Sequence, residues 1–456
     1  MATITNRGNT FRITVSSGYD LHGKQLRKSM TWKPEEGMTK RQIEKEVQRQ
    51  AVLFEEQVKN GLYVDCNIKF AEFADKWLKE YAEKQLKPKT VAQYRALLPR
   101  LNDGIGHLKI SKIQPYHIMA LYDELSREGI RADTKYKCTL DIKAELKQQK
   151  TTQKSLSERA GISIHTIESL ARGNNVTKQT AEKIAKAMNN KFTDMFKPVG
   201  DNKLSTQTIR HHHILLSSIL STAVQWQVII YNPCERVKPP KVQQCDPRTL
   251  DDIEAMTLLD KLEQEDTQHR TMIQVLMFLG VRREELLGFK WSDIDFENGV
   301  ISVERSIQYL PDKGLYESDT KTSSSHRVIK MSELVISALK KQRAAQREKR
   351  LQLGDRYTDF GYVFTKDDGT PIHPDSLTSW FKKFIRKNTL PDVTLHSLRH
   401  TNATLQIANG VPITTVAKRL GHANAGTTTK IYAHAIKTAD EAAAEKINDI
   451  FSRKQA

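Results

Sequence analysis

Six side chains with cationic or titratable heads are candidates to do chemistry in this 456-residue sequence: Arg282, Lys321, His396, Arg399, His422 and Tyr432. Glu285 and His400 stand close to members of the set. The run His396-Ser-Leu-Arg399-His400 crowds two imidazoles and a guanidinium into five positions. Leu405 and Ile407 follow at the spacing of a buried helix face. One turn apart at the start of that helix, His396 and Arg399 can face a single phosphate, and the helix dipole adds to the attraction. Ser397, Leu398 and His400 would then position the pair. Arg282 comes just after Gly280, which breaks an apolar helix, so it sits at a turn. Glu285 lies three positions on, along the same side of the next helical turn. Lys321 falls near a hairpin in TKTSSSHRVIKM. Each feature alone has a plainer reading: an Arg–Glu pair at this spacing is ordinarily a weak surface ion pair, and a lone lysine an ordinary surface charge.

Such groups need folded elements to hold them, and the length suits about three domains. At 38% hydrophobic and 28% charged, the composition is that of a soluble globular protein. No run approaches the ~18–20 apolar residues of a membrane span, and MATITNRGNTFRITV lacks an apolar signal core. A cytoplasmic protein with no membrane partner is expected. The 72 Lys+Arg exceed the 54 Asp+Glu by 18. That excess favours a polyanionic partner, because neutralising phosphates releases counterions. Mere solubility is the plainer alternative. Cys66, Cys138, Cys234 and Cys245 form no C-x-x-C pair and no zinc-like spacing, so reduced thiols and no metal site are expected.

In residues 1–65, NTFRITVSSGYD alternates Phe11, Ile13 and Val15 before turning at Gly18, and KQLRKSMTW supplies a second strand. A helix over Thr39–Gly61 follows. A small basic sheet backed by one helix can enter the DNA major groove. With 11 basic and 8 acidic residues up to Cys66, a plain structural domain fits equally well. Helical patterns run from Ile68, through a segment from Pro115 to Gly129, and again from Ser205 to Trp226. Within the last, His211-His212-His213 cannot converge on a metal, since adjacent helical residues point to different faces. A face touching phosphate or a partner surface is the better reading.

Between those helices, Tyr136 to Pro198 reads as its own module, with 12 basic and 6 acidic residues. A helix from Gln153 to Ala160 turns at Gly161 and restarts behind Ser163, a good N-cap, with Ile167 and Leu170 facing Leu156. This is helix-turn-helix geometry and resembles the lambda-repressor-like DNA-binding fold. By that resemblance Ser163, Ile164, His165, Glu168 and Ser169 approach base edges. Those repressors often carry glutamine where Ile164 and His165 stand here, so a spacer or protein-contact module is the alternative.

Four stretches occur in order: LGVRREELLGFKWSDID, TKTSSSHRVIKM, HSLRHTNATLQIANG and LGHANAGTTTKIYAH. Together they resemble the tyrosine recombinases, specifically the integrases of temperate phages and conjugative transposons. The resemblance implies a multidomain chain, mainly α with small β-sheets. It comprises an α+β arm-binding domain (1–65), an all-α core-binding domain (66–135 and 201–238) with an all-α helix-turn-helix insertion (136–200), and a mixed α+β catalytic domain (245–456). It also implies roles. Tyr432 is the nucleophile that forms a 3′-phosphotyrosyl bond and frees a 5′-hydroxyl, so religation needs neither ATP nor metal, and no cofactor. Arg282 and Arg399 grip the non-bridging oxygens in planar forks. Lys321 protonates the leaving oxygen. His422 hydrogen-bonds the phosphate, and His396 accepts a proton or contacts phosphate near Tyr432. Glu285 orients Arg282 or His396, and His400 supports Arg399.

The implied partners are double-stranded attachment-site DNA, a homotetramer on that DNA, and an accessory excision or DNA-bending protein in the bacterial host cell. The final segment, Thr438 to Ala456, would dock onto a neighbouring protomer or cover its own core. The rival readings are a type IB topoisomerase-like enzyme and a helix-turn-helix regulator.

Overall fold

A computed structural model describes residues 2–19, 22–35, 37–59, 67–128, 131, 134–200, 203–243, 248–319, 326–421, 426 and 429. The chain divides into two compact units, Met1–Gln243 and Gln244–Ala456.

The first unit holds three separate hydrophobic clusters. β1 (Thr3–Arg7), β2 (Thr10–Tyr19) and β3 (Gln25–Trp32) form an antiparallel sheet in that order. Behind it lies α1 (Lys40–Lys59), whose Ala51, Phe54 and Val58 pack on Ile13 and Val15. The first strand is an addition to the sequence expectation: TITNR has little apolar alternation and is recruited by pairing with β2. Because side chains alternate across a strand, the register places Thr3, Thr5, Arg12, Thr14, Ser16, Arg27, Ser29 and Thr31 on the face opposite the helix.

Then come α2 (Phe70–Trp77), α3 (Pro88–Ile105) and α4 (Pro115–Leu125). The inserted module follows, as β4 (Lys135–Cys138), α5 (Ile142–Gln148), α6 (Gln153–Ala160), α7 (Ile164–Ala171), β5 (Val176–Thr177), α8 (Lys178–Ala187) and β6 (Phe196–Val199). α9 (Thr206–Gln225) returns to the flanking helices. α2, α3, α4 and α9 share one core, in which the Trp77 indole N–H donates to Thr222 Oγ1 at 2.9 Å.

The triple histidine disperses, as adjacent helical residues must. His211 bonds Gln207, the fully buried His212 bonds the Thr208 carbonyl at 2.8 Å, and His213 meets the Tyr122 hydroxyl. A continuous phosphate-touching face is therefore corrected: the middle residue belongs to the core. Among the described residues no cluster of His, Cys, Asp or Glu is placed to hold a metal.

The insertion has its own core, with Leu156, Ile167, Leu170 and Ile184 at its centre. The all-α insertion that the sequence predicts is corrected: the module also contains a small sheet. β4 pairs antiparallel with both β5 and β6, so entry and exit strands clasp at Lys135 and Val199.

The second unit runs α10 (Asp252–Leu262), α11 (Thr267–Leu279), α12 (Arg283–Leu287), β7 (Ile294–Asp295), β8 (Val300–Val303), β9 (Arg305–Leu310), β10 (Gly314–Asp319), β11 (Arg327–Lys330), α13 (Glu333–Leu353), α14 (Pro374–Lys387), α15 (Leu395–Ala408) and α16 (Ile413–Leu420). One core extends from Leu250 to Leu398, and a smaller cluster of Ala403, Ile407, Val416 and Leu420 joins α15 to α16. β9 pairs with β10, whereas β11 joins a sheet ordered β11-β8-β7. β9 and β10 thus form a hairpin that ends at Asp319, just before 320–325, and the strand after that segment, β11, lies in a different sheet. Lys321 itself lies outside the described residues, as do His422, Tyr432 and Thr438–Ala456. No described helix is long and apolar enough to cross a membrane.

Candidate active site

The site is assembled from two helix starts and the turns before them. Gly280 ends α11 with φ +63°, and a Cβ there would lie 2.7 Å from both Asn402 Oδ1 and Leu420 Cδ2. Only glycine makes this turn in this space. Asn402 closes the turn from α15 by donating to the carbonyls of Met277 and Phe278 at 2.9 and 3.1 Å.

Two residues on, Arg282 is the N-cap of α12. Glu285 reaches back, accepting the Arg282 backbone N–H at 2.9 Å and its Nη1 at 2.6 Å. Unlike the surface pair that spacing alone suggests, Glu285 is buried, with 4% of its surface exposed. Arg327 of β11 approaches the same carboxylate, with Nη2 at 2.8 Å from Oε2. Burial would raise the Glu285 pKa, but the hydrogen bond and charge of Arg327, and then the charge of Arg282, hold it below the usual carboxylate range.

α15 starts at Thr394, whose Oγ1 accepts the Ser397 N–H at 3.1 Å. His396 stands exposed in its first turn and lines one cleft with Arg282, Thr378 and Thr394. The neighbouring Arg283 donates to Thr378 Oγ1 at 2.6 Å and so ties α12 to α14.

Arg399 points elsewhere. It is buried, and it donates to the Gly280 carbonyl at 2.6 Å and the Leu420 carbonyl at 2.7 Å. It therefore splints the turn before Arg282 to the end of α16. Gly421 follows with φ +69°, leading to position 422.

The His400 ring meets His396 edge-on, with centroids 4.6 Å apart. Desolvation lowers both imidazoles, His396 further through the charges of Arg399 and Arg282, and His400 down to about 4. Neutral imidazoles beside cations suit a proton acceptor and its support.

Arg282, Glu285, His396, Arg399 and His400 are thus brought together. Of the helix-turn-helix candidates, Ser163, Ile164 and His165 are exposed, and Ser163 caps α7 by accepting the His165 N–H. Glu168 lies within 3.8 Å of both His165 and Arg172, and Ser169 accepts from Asn174.

Arg327 was missed. The signal was in HRVIKM, where Arg327 shares its alternation with Ile329 and Met331, both buried. An arginine on the apolar face of a strand needs a buried partner.

Residues 248–438 match the phage integrase family, and residues 69–126 match the N-terminal SAM-like domain of phage integrases. Together the two cover more than half of the chain. The chain belongs to the tyrosine recombinase/integrase family. Enzymes of this family break and rejoin DNA. A helix-turn-helix model matches residues 142–195, inside the insertion.

Among relatives, this recombinase is 27% identical to a XerC-like tyrosine recombinase of Caldanaerobacter subterraneus subsp. tengcongensis over 470 residues, 98% of each chain. It is 28% identical to the ICEBs1 integrase of Bacillus subtilis over 267 residues, 59% of this chain and 72% of that one. In fold it resembles the Tn1549 transposon integrase solved with a circular-intermediate DNA. The TM-score is 0.57 at 18% identity, over 84% of this chain and all of that one. Neither rival reading is favoured: the relatives are recombinases and integrases, and the helix-turn-helix is a module within the recombinase.

Proposed function

We propose that this recombinase cuts and rejoins attachment-site DNA to integrate and excise a mobile genetic element, with the scissile phosphate in the cleft between Arg282 and His396. The observation that carries this is the convergence of those two side chains from separate helix starts, with Glu285 and Arg399 bracing the turns behind them. Displacement at phosphorus builds negative charge on the non-bridging oxygens. Preorganised donors at those oxygens are typically worth on the order of 10²–10³ in rate each. Arg282 serves as such a donor, Arg399 adds its charge beside it, and His422 contributes a hydrogen bond.

Tyr432 attacks, and its phenolic proton passes towards the neutral His396. The phosphorus–5′-oxygen bond breaks, and Lys321 protonates the departing oxygen. The phosphotyrosyl bond conserves the phosphodiester's energy, so religation is the same sequence reversed.

Other elements supply the DNA contacts. The exposed sheet face of Thr3, Thr5, Arg12, Thr14, Ser16, Arg27, Ser29 and Thr31 carries hydroxyls and guanidiniums and no acid, a composition suited to an arm site in the major groove. The helices of 66–135 and 201–238 hold the core site, and 245–456 performs the chemistry. The insertion adds a duplex contact through Ser163, Ile164 and His165. Exchange between two duplexes uses a tetramer, with an accessory excision or bending protein setting direction.

The test is a suicide substrate nicked beside the crossover, run on a denaturing gel. Wild type is expected to give a covalent protein–DNA band and Tyr432→Phe none. Equal bands, or none from wild type, would overturn the proposal. Relaxation of supercoils without paired sites would revive the topoisomerase reading.

A further inference from the structure

The geometry points to Arg327 as a positioning residue for strand cleavage: from β11 it clamps Glu285, and through it Arg282, to the carbonyl at the end of α16. This rests on the reading of Arg282 as a phosphate donor. Arg327 has three separate attachments. Nη2 donates to Glu285 Oε2 at 2.8 Å, Nη1 reaches Oε1 at 3.4 Å, and Nε donates to the Arg419 carbonyl at 2.8 Å. Its side chain is 6% exposed and that of Glu285 5%. A planar guanidinium can make a fork to a carboxylate and a third bond in another direction, which an ammonium on a flexible stem cannot do at once.

Gly421 gives a second, independent indication. A Cβ at that position would stand 2.8 Å from Arg327 Nη1 and 3.1 Å from its Cζ. The chain passes so close to the guanidinium that only glycine fits, and position 422 comes next. The Arg419 side chain adds a return tie, donating to the Lys330 carbonyl at 3.1 Å. β11 also follows directly on the segment that contains Lys321. One buried cation therefore links the strand after Lys321, the helix start that carries Arg282, and the turn before His422.

Among the described residues, the cations facing Glu285 are Arg282, from its own helix, and Arg327, from β11. Without Arg327 the buried carboxyl loses a cationic partner and protonates more readily, loosening Arg282. This separates positioning from mere folding, because the defect should ease as pH rises and Glu285 ionises again.

The test is single-turnover cleavage of the suicide substrate by full-length Arg327→Met and Arg327→Lys, from pH 6 to 9, with DNA affinity and thermal melting measured alongside. Arg327→Met is expected to cleave about 10–100-fold more slowly at neutral pH, by analogy with the loss of a hydrogen-bonded support behind a metal ligand. Its DNA affinity should hold, and the deficit relative to wild type should shrink at high pH. Arg327→Lys keeps the charge but loses the three-way attachment. It should be slow at every pH, and it carries the test alone if the Met variant does not fold. Wild-type rates in both variants, or in Lys alone where Met is unfolded, overturn the inference. So does a deficit that tracks only the folded fraction. Absence of any adduct from wild type would instead overturn the reading of the site itself.

Discussion

At the residue scale, the two arginines divide the work by burial. Arg282, 38% exposed at its side chain, faces the cleft. Arg399, 2% exposed, holds two backbone carbonyls. Hydrogen bonds from charged groups are worth roughly 1.5–3 kcal/mol each. Arg399→Lys is therefore expected to lose a few kcal/mol of stability in a denaturant melt, and to cleave more slowly as the turns it splints loosen. Wild-type values for both would contradict this role. The imidazoles make a second prediction. The folded His400 pKa, about 4, lies below the unfolded value of about 6.5. The unfolded chain therefore takes up the proton first, and this contribution to stability, complete above pH ~6.5, is lost as pH falls towards 4. An NMR titration of the folded protein should find His400 neutral at pH 5; a midpoint near 6.5 would contradict its packing against His396.

At the element scale, the insertion is a closed unit, since β4 and β6 bring Lys135 and Val199 into register. Replacing Lys137–Lys197 with a short turn should leave the flanking helices folded and shorten the protected DNA in a footprint. An unchanged footprint would favour a spacer or a protein-contact module. The same elements mark what was legible beforehand. Helix starts were, because Ser163, Ser205 and Thr394 cap locally, and Gly280 and Gly161 announced their left-handed turns. The short pairs Arg282–Glu285 and His396–Arg399 were legible as neighbours one helical turn apart, but not that Arg399 turns inward to two backbone carbonyls instead of facing a phosphate beside His396. Strand pairing was not: TITNR becomes a strand only against β2, and the β4–β6 clasp joins residues some sixty positions apart. Arg327 was missed for the same reason, its carboxylate partner lying 42 positions away.

At the scale of the whole molecule, the +18 charge fits the proposal that the chain holds several duplex segments at once. Removing Thr438–Ala456 is expected to block tetramer assembly while leaving single-site binding intact, as read by native gels on one core site and on paired sites. Unchanged recombination by the truncated protein would contradict that role for the tail. In the proposed reaction a phosphate held between Arg282 and His396 is attacked by Tyr432. Its most direct measurement is mass spectrometry of the trapped adduct after proteolysis. One modified peptide is expected, with the DNA 3′-phosphate on the Tyr432 oxygen, and its loss in Arg282→Lys as well as in Tyr432→Phe. A phosphate carried by any other residue, or an adduct undiminished by Arg282→Lys, would contradict it.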